Sequence, residues 1–354
     1  MPILPVYGHV RLREQLLRLT RNGTLPASLL LHGPAGVGKQ RLALWIGQAL
    51  LCENEASPCG KCQHCRFAVE LTHPDLNWVF PRPRPKDADA APEDIAQDLA
   101  EEAAARAARG GIYARPPGTE AIYVATVRMI VRRAVMAPAL ARRKVVVIGD
   151  AERMVPQEGS EQAANAFLKL LEEPPRDTFI ILTSSEPAAL LPTIRSRVAA
   201  VRVAPLTAAE VRAFVSDPAV QAALEGDREA EALVAAAGGT PGSLFGEAAR
   251  AVSTAAARKL VTAAFDADAA GVYEAALSQS VAGARGGFSE TLDALTTVLA
   301  ERTRDALRRG DDRQARGGVR GIEAVEVAKV RADGNVNPQL LTWKLLRDLQ
   351  GPQQ

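Results

Sequence analysis

Residues 28–51 read SLLLHGPAGVGKQRLALWIGQALL, and this stretch decides the fold. Its first five residues are apolar enough for a buried strand, and its last eleven form an apolar helix. Between them, GPAGVGK matches G-x-x-x-x-G-K, a turn whose backbone N–H groups and following helix N-terminus cradle phosphates while the lysine meets their outer oxygens. A chance glycine-rich turn is the alternative, but the flanking strand and helix favour a phosphate loop. The predicted nucleotide-binding residues of this loop are Gly33, Gly36, Gly38, Lys39 and Gln40.

The composition is that of an ordinary globular protein. The 354 residues are 47% hydrophobic and 24% charged, which is enough for two or three domains with buried cores. The 43 Lys and Arg against 41 Asp and Glu leave a net charge of +2, which excludes a protein that coats nucleic acid by bulk electrostatics. No apolar run reaches the ~18–20 residues of a membrane span, and no signal-peptide pattern is visible. We therefore expect a cytoplasmic protein with no membrane partner.

All four cysteines of the chain fall between residues 52 and 65, in the pattern C-x6-C-x2-C-x2-C. A disulfide framework is typical of small secreted domains, so four thiolates this close favour a closed tetrahedral zinc site. His64 lies inside the cluster and is an alternative ligand, and a redox role or uninvolved thiols are the other interpretations. Without an open coordination position or a nearby general base, we expect structural rather than catalytic Zn²⁺. The predicted ligands are Cys52, Cys59, Cys62 and Cys65.

Strands alternate with amphipathic helices over the first half of the chain, which predicts an α/β domain with a mainly parallel sheet. The predicted strands are residues 28–32, 75–79, 145–148, 179–182 and 201–203. Strand signals then stop, and a T-x-x-E capping box at residues 207–210 opens a helical region. The predicted organisation is an α/β domain over 1–204 with a zinc module at 52–65 and an insertion at about 82–120, a helical lid over 205–250, and a helical domain over 251–354.

The insertion combines two kinds of sequence. Residues 81–92 are rich in proline and charge, which is typical of a flexible excursion. Residues 93–109 are rich in alanine and carry Glu102 and Arg106 at i,i+4 spacing, which predicts a surface helix away from the chemistry.

The acidic residues after the strand at 145–148 are irregular. An active ATPase of this kind would end the strand with Asp-Glu, whereas this chain has GDAE at 149–152. If the strand ends at residue 148, Gly149 stands at the Asp position and Asp150 at the Glu position. If the strand ends one residue later, Asp150 stands at the Asp position but Ala151 stands at the Glu position. Either register lacks one of the two acidic residues. Gln40 also replaces the hydroxyl that would hold Mg²⁺. We expect a loop that accommodates ATP or ADP, with Asp150 beside it, and weak or absent intrinsic hydrolysis.

Several motifs taken together resemble the bacterial clamp-loader branch of the AAA+ ATPases. They are the phosphate loop, the four-cysteine module, AANAFLKLLEEPP at 163–175 and TIRSR at 193–197, in the family's order. The resemblance covers most of the chain and leaves out residues 82–120 and 155–162. It implies a P-loop, RecA-like AAA+ domain, a small lid, and a C-terminal collar domain through which subunits join into a ring.

The resemblance also implies roles for individual residues. Ser196 and Arg197 look like the family's SRC motif, with Val198 in place of cysteine, in which the arginine reaches a neighbouring subunit's ATP as a finger supplied in trans. A surface arginine near a strand is the alternative interpretation. Ser184 or Ser185 stands where the family keeps its sensor-1 residue, with Ser184 predicted to contact nucleotide.

The departures from the family pattern imply a subunit that does not hydrolyse ATP. They include Phe245, which follows a segment resembling the sensor-2 region (residues 238–244) and stands where motor subunits carry arginine. The implied function is a stator that helps place a sliding clamp on primed DNA by offering Arg197 to a motor subunit. The implied partners are the gamma/tau and delta subunits, the sliding clamp, and primer-template DNA through the complex.

Two other functions are compatible with parts of the pattern. One is an ATP-hydrolysing motor subunit of gamma/tau type, and the other is a zinc-bearing DNA-binding regulator, although no recognition-helix motif or basic stripe supports the latter. Three arginines of one predicted helix either face DNA or form an ordinary charged helix surface: Arg128, Arg132 and Arg133.

Overall fold

The computed structural model describes residues 2–83, 91–112, 120–154, 161–224, 229–245, 247–266, 269–277, 285–332 and 336–350. These residues group into two compact units, with the boundary after Phe245. The excursion predicted at 81–92 and the segment at 155–162 lie mostly outside the described residues.

A five-stranded parallel sheet forms the centre of the first unit. Its strands are β1 (Ser28–His32), β2 (Leu76–Val79), β3 (Lys144–Ile148), β4 (Thr178–Ser184) and β5 (Ala199–Arg202). Their order is β2-β3-β4-β1-β5, and every neighbouring pair is parallel. The three central strands are almost entirely buried, as a parallel sheet covered by helices on both faces requires. The predicted α/β fold class is confirmed, and the carboxyl ends of β1, β3 and β4 meet at one edge, where the phosphate loop begins.

Helices surround this sheet and build the lid. They are α1 (Val10–Arg21), α2 (Lys39–Leu51), α3 (Gln63–Glu70), α4 (Pro92–Ala108), α5 (Val124–Val135), α6 (Glu161–Glu172), α7 (Pro192–Arg195), α8 (Ala208–Val215), α9 (Pro218–Ala223) and α10 (Ala230–Ala237), with 3₁₀ turns at Ala151–Arg153 and Pro241–Leu244. Helix α2 is buried along nearly its whole length, which anchors the loop at its N-terminus. The lid has its own small core around Leu206, Val211 and Val215, and it begins at the predicted capping box of Thr207 and Glu210.

Helix α4 lies at the surface as predicted, but one of its faces is buried more deeply than its alanine-rich sequence indicates. Ile95 and Leu99 are buried in the main hydrophobic core, together with alanines at helical spacing. Arg106 forms the expected pair with Glu102 at 2.6 Å, and its guanidinium also lies 3.5 Å from the ring centroid of Phe80. Small alanine side chains make a flat face that packs closely, so the low hydrophobicity of the segment hides its burial.

The second unit is entirely helical over its described residues. Its helices are α11 (Glu247–Asp266), α12 (Ala269–Leu277), α13 (Arg285–Arg308), α14 (Asp312–Ala332) and α15 (Pro338–Gln350). Leu292, Leu295, Val325 and Leu346 form the centre of its core. Helix α11 begins two residues after Phe245, where the two units divide, and the predicted division into lid and C-terminal domain at residue 250 stays a prediction. Among the described helices, none combines the length and apolar character that crossing a membrane requires.

Candidate phosphate-binding and metal sites

The phosphate loop joins β1 to α2, and its glycines are required by its geometry. Gly36 and Gly38 have φ of 78° and 91°, in the left-handed region that side-chain-bearing residues rarely adopt. Gly33 approaches the end of β5 closely, because a Cβ placed on it would lie 2.2 Å from the carbonyl oxygen of Val203. The motif therefore predicts real backbone constraints at all three positions.

The ammonium of Lys39 is turned back onto its own loop. Its Nζ donates to the carbonyl oxygens of Gly33 at 2.9 Å and Pro34 at 2.8 Å, and to Ser185 Oγ at 2.9 Å. Lys39 is only 5% exposed. Oxygens of this chain thus surround the charge that would meet phosphate oxygens in a nucleotide complex.

Of the two serines at the end of β4, Ser185 rather than Ser184 contacts this lysine. Ser184 is fully buried, and its Oγ accepts a hydrogen bond from the backbone N–H of Glu186 at 3.1 Å. Ser185 accepts from Lys39, and its own N–H donates to Glu152 Oε1 at 3.0 Å. Neighbouring side chains at a strand end point to opposite sides, so only one of these two serines faces the lysine, and the contact of Ser184 with nucleotide stays a prediction. Glu152, which no motif assigned, joins the same cluster.

The side chain of Gln40 bridges Asp150 and Trp78 beside the phosphate loop. Strand β3 ends at Ile148, so Gly149 follows it directly, and Asp150 comes next in a left-handed conformation. Gln40 Nε2 donates to Asp150 Oδ2 at 3.0 Å, while Gln40 Oε1 accepts from Trp78 Nε1 at 3.0 Å. Gly149 leaves room for the amide, since a Cβ there would lie 2.3 Å from Gln40 Oε1. Both ends of the Gln40 amide are therefore bonded within the protein.

The lid and the N-terminal segment pack directly on the loop. The backbone N–H of Gly242 donates to the Gly36 carbonyl at 2.8 Å, and a Cβ on Gly36 would lie 2.9 Å from the nitrogen of Ser243. On the next residue, the Val37 carbonyl is hydrogen-bonded to His9 Nε2 at 3.1 Å. The sensor-2-like segment thus contacts the phosphate loop through backbone atoms.

Tyr7 ties the N-terminal segment to the lid. Its hydroxyl donates to Asp217 Oδ2 at 2.5 Å, and its ring packs edge-on against Phe214. Burial and the Asp217 carboxylate together raise the pKa of Tyr7 to about 12, and the Tyr7 hydroxyl and the Ala219 N–H lower the pKa of Asp217. The lid is therefore held both to the phosphate loop and, through its outer helices, to the N-terminal segment.

The predicted finger, Arg197, follows α7 and is bonded within its own chain. Its Nη2 lies 2.5 Å from Glu172 Oε1, and its Nη1 donates to the Thr193 carbonyl at 2.8 Å and to Ser196 Oγ at 3.4 Å. The side chain is 28% exposed. These contacts are all with residues outside the phosphate loop of this chain.

The four cysteines form one compact cluster of sulfur atoms. All four Sγ atoms lie within 4.8 Å of one another, with 3.9 Å between those of Cys59 and Cys65 and 3.9 Å between those of Cys52 and Cys62. A tetrahedral site with Zn–S bonds of about 2.3 Å has S···S edges of about 3.8 Å, so this donor set fits zinc. His64 points elsewhere, because its Nδ1 lies 3.0 Å from His73 Nε2. The alternative of His64 as a ligand is therefore disfavoured.

Polar hydrogens surround the sulfurs. The backbone N–H of Cys62 and the side-chain amide of Asn54 approach Cys59 Sγ at 3.4 and 3.1 Å. Hydrogen bonds from the N–H groups of Lys61 and Cys62 lower the pKa of the Cys59 thiol to about 6, whereas burial raises the pKa of Cys65. Such N–H···S contacts stabilise thiolates, the form that binds a metal.

The carboxylate of Asp75, which follows the cysteine cluster in sequence, binds backbone N–H groups of a loop. Its fully buried carboxylate accepts hydrogen bonds from the backbone N–H groups of Ala139, Leu140 and Ala141 at 2.6, 2.7 and 2.8 Å. Burial alone would raise its pKa, but these three donors outweigh that effect and leave the pKa of Asp75 below its ordinary value. This carboxylate fixes the loop between α5 and β3.

Two of the three arginines considered for DNA contact are bonded within the protein. Arg132 pairs with Glu93 at 2.9 Å, and Arg133 donates to Asn77 Oδ1 at 2.7 Å. These contacts favour the interpretation as helix surface charge.

Comparison with known proteins adds a family and several relatives. The sequence profile of the family described as "DNA polymerase III, delta subunit" matches residues 8–207. The chain is 34% identical over 220 residues to DNA polymerase III subunit delta′ of Pseudomonas aeruginosa. The aligned region covers 60% of this chain and 52% of that protein. It is 32% identical over 177 residues to DNA polymerase III subunit gamma/tau of Mycobacterium tuberculosis, covering 49% of this chain and 24% of the relative.

Among solved structures, a gamma subunit-related protein of DNA polymerase III from Thermotoga maritima aligns over 96% of this chain and 98% of its own, at 19% identity and a TM-score of 0.41. The chain spans about half the length of the curated delta′ relatives that it matches.

Proposed function

Because the chain belongs to the family of DNA polymerase III delta subunits, we propose that it is a delta-prime-like stator of a bacterial clamp loader. In this role it does not hydrolyse ATP itself. It occupies a fixed place in the ring of subunits and completes the ATP site of a motor subunit beside it. Motor and delta subunits, the sliding clamp and, through the complex, primer-template DNA are its partners in the cytoplasm.

The observation that carries the stator role is the Gln40 bridge. Magnesium in a phosphate-loop ATPase is held by a hydroxyl of the loop and by a carboxylate at the end of the neighbouring strand. Here the amide of Gln40 occupies the first position and is bonded to Asp150, the carboxylate nearest the second. Lys39 is likewise hydrogen-bonded to carbonyl oxygens of the loop. The groups that would polarise the γ-phosphate are therefore all bonded within this chain.

The arginine-finger role rests on the position and chemistry of Arg197. It lies on the turn after α7 and is partly exposed. The neighbouring Ser196 stabilises that turn, because its hydroxyl donates to the Thr193 carbonyl at 3.1 Å. A guanidinium supplied across an interface stabilises the charge that develops on the transferred phosphoryl group and is worth a factor of about 10³–10⁵ in turnover. Arg197 is the residue that we assign to this task.

The metal site and the second unit have supporting roles in this proposal. Cys52, Cys59, Cys62 and Cys65 would hold a structural Zn²⁺, which supplies rigidity at the junction of α2 and α3 and no chemistry. We assign residues 205–250 to the lid and 251–354 to the collar that joins this subunit to its neighbours. ATP or ADP bound at the loop of this chain would be a ligand without turnover.

The gamma/tau-type motor is the second candidate, since gamma/tau proteins are also among the relatives. That function needs an intact magnesium site, and Gln40 argues against it. A zinc-bearing DNA-binding regulator has no comparable support, because two of the three arginines considered for DNA contact are bonded to Glu93 and Asn77.

Replacing Lys39 in the assembled loader distinguishes stator from motor. In a motor subunit, Lys39→Met would remove the γ-phosphate contact and abolish turnover at that site. In a stator, the loader reconstituted with Lys39→Met keeps its DNA-stimulated ATPase within about twofold of wild type, provided that the variant still assembles by gel filtration. A matched Lys→Met change in the motor subunit is the positive control. Loss of ATPase with both variants would overturn the stator assignment.

A further inference from the structure

Glu172 holds the guanidinium of Arg197 in the isolated chain. It is the last residue of α6, in the LLEEPP segment, and its Oε1 lies 2.5 Å from Arg197 Nη2. The two residues are 25 positions apart in sequence, so the contact joins α6 to the turn after α7. No motif connects these two residues, and only the folded structure shows the pair.

The remaining contacts of Arg197 keep the side chain folded back. Its Nη1 donates to the carbonyl of Thr193, four residues earlier on its own turn, and its Nε is shielded from solvent with no hydrogen-bond acceptor among the described residues. The contacts to Glu172 and Thr193 thus use both terminal nitrogens of the fork. A phosphate oxygen binds an arginine through the same terminal N–H groups. The arginine cannot offer Nη2 fully to a phosphate while the Glu172 carboxylate holds it.

We propose that Glu172 is a positioning residue for Arg197, which holds the finger on its own subunit until the phosphate of a neighbouring nucleotide replaces the carboxylate. This inference rests on the proposed function of Arg197 as a finger supplied in trans. The exchange replaces one anionic partner with another and needs no change in the backbone of α7. The carboxylate therefore suppresses the finger before the interface is aligned and releases it afterwards.

The partial exposure of the pair makes the exchange feasible. The Glu172 side chain is 48% exposed and that of Arg197 is 28% exposed, so solvent screens their attraction. A fully buried pair would be too costly to break, whereas a screened pair competes with a multiply charged phosphate at a modest penalty. The expected effect of removing Glu172 is accordingly about two- to fivefold, not orders of magnitude.

The contact itself is testable on the full chain alone. Phenylglyoxal modifies accessible guanidinium groups, and mass spectrometry of peptides gives the rate at each arginine. Glu172→Gln should speed modification of Arg197 about two- to fivefold, while the exposed Arg195 serves as an internal standard. Glu173→Gln removes the same charge from the adjacent exposed residue and should leave the Arg197 rate unchanged. Equal Arg197 rates in all three proteins would overturn the proposal.

The functional consequence is testable as a double-mutant cycle in the reconstituted loader. Glu172→Gln should raise the DNA-independent ATPase about two- to fivefold and leave the maximal DNA-stimulated kcat unchanged, because the carboxylate is already displaced in that state. In an Arg197→Ala background, Glu172→Gln should have no effect, since no finger remains to be held. Glu172→Asp, which keeps the charge, should restore a rate near wild type.

The cycle separates failure of this inference from failure of the proposed function. If Arg197→Ala leaves the loader unchanged, the finger assignment is wrong and this inference falls with it. If Arg197→Ala abolishes stimulation but Glu172→Gln changes nothing, the finger stands and the holding role of Glu172 is wrong. The same rate change from Glu172→Gln in both backgrounds would show a structural effect of α6 and would also overturn the proposal.

Discussion

The side-chain amide of Gln40 lies 3.0 Å from the carboxylate of Asp150 and joins the start of α2 to the residue pair after β3. Its other end accepts from Trp78 Nε1, so the amide is fixed in orientation by a donor and an acceptor. A neutral amide in this position satisfies the carboxylate with a hydrogen bond where a phosphate-loop ATPase would use a metal ion. In the function proposed above, the residues that stand at the magnesium positions are therefore bonded to each other.

Replacing Gln40 with a hydroxyl residue should reopen the metal position. Gln40→Thr removes the bonds to Trp78 and Asp150 and introduces the oxygen that holds Mg²⁺ in related loops. We expect a fluorescent ATP analogue to bind this variant about tenfold more tightly in Mg²⁺ than in EDTA, whereas the wild-type affinity changes less than about twofold. Gln40→Glu, which keeps the size but not the neutral amide, is the control. Equal Mg²⁺ dependence in wild type and Gln40→Thr would contradict the bridge as the cause.

The contact between the lid and the loop predicts a steric lock at Gly242. A Cβ on this residue would lie 2.8 Å from Gly36 Cα, so Gly242→Ala forces the lid segment away from the phosphate loop. Overpacking of this kind costs about 1–3 kcal/mol. Hydrogen exchange at residues 242 and 243, whose N–H groups donate to the carbonyls of Gly36 and Thr240, should become faster in Gly242→Ala. Gly317→Ala, at a helical glycine with open space around it, should leave exchange at these residues as in wild type; protection unchanged by Gly242→Ala would refute the lock.

The sulfur cluster predicts one zinc ion per chain. Elemental analysis of protein purified without chelators should give a ratio near one, and Cys65→Ser should lose most of it because three ligands remain around a buried centre. His64→Ala is the matched control, since His64 is bonded to His73 and not to the sulfurs. A ratio near zero in wild type, or loss of zinc in His64→Ala, would contradict the assignment.

Asp75 should be one of the most sensitive single positions for stability of the first unit. Asp75→Ala leaves three backbone N–H groups without their acceptor, at a cost of about 2–4 kcal/mol in the free energy of unfolding. In a Trp343→Phe background, fluorescence reports only Trp45 and Trp78, which both lie in the first unit. Urea unfolding followed in this way gives the difference directly.

The same position predicts a pH dependence with a defined sign. The pKa of Asp75 is lowered in the folded protein, so its contribution is fully present above its ordinary value of about 3.9 and is lost as the pH falls through the native pKa. Asp75→Asn should therefore unfold with less dependence on pH in the acid range than wild type. Parallel pH profiles for the two proteins would show that the carboxylate charge is not what the three N–H groups recognise.

Local sequence signals predict the sheet and the cysteine cluster well, because each depends on residues close together in the chain. The strand–loop–helix at 28–51 and the four cysteines within residues 52–65 both fold as their spacing indicates. Hydrophobic periodicity fails at α4, where alanines build a buried face without a strong hydrophobic signal. It also cannot choose between Ser184 and Ser185, since the last residue of a strand decides which side chain faces the loop.

Contacts between distant parts of the sequence account for the remaining features. Gln40 with Asp150, Gly36 with Gly242, and Glu172 with Arg197 are each formed only when the sheet and lid are assembled. The missing hydroxyl at residue 40 indicates a defective magnesium site. It does not predict that the Gln40 amide hydrogen-bonds to the carboxylate of Asp150. The sequence thus predicts a defective magnesium site, and the structure shows the contact that the replacing amide makes.

The central claim is that this chain contributes Arg197 to a neighbour's ATP site while hydrolysing none itself. The most direct measurement is DNA-stimulated ATPase and clamp loading by a loader reconstituted with motor and delta subunits and either wild-type or Arg197→Ala protein. We predict normal assembly and a loss of at least about tenfold in stimulated clamp loading with Arg197→Ala, with only partial recovery in Arg197→Lys because a lysine lacks the planar fork. Clamp loading by Arg197→Ala at the wild-type rate would contradict the account.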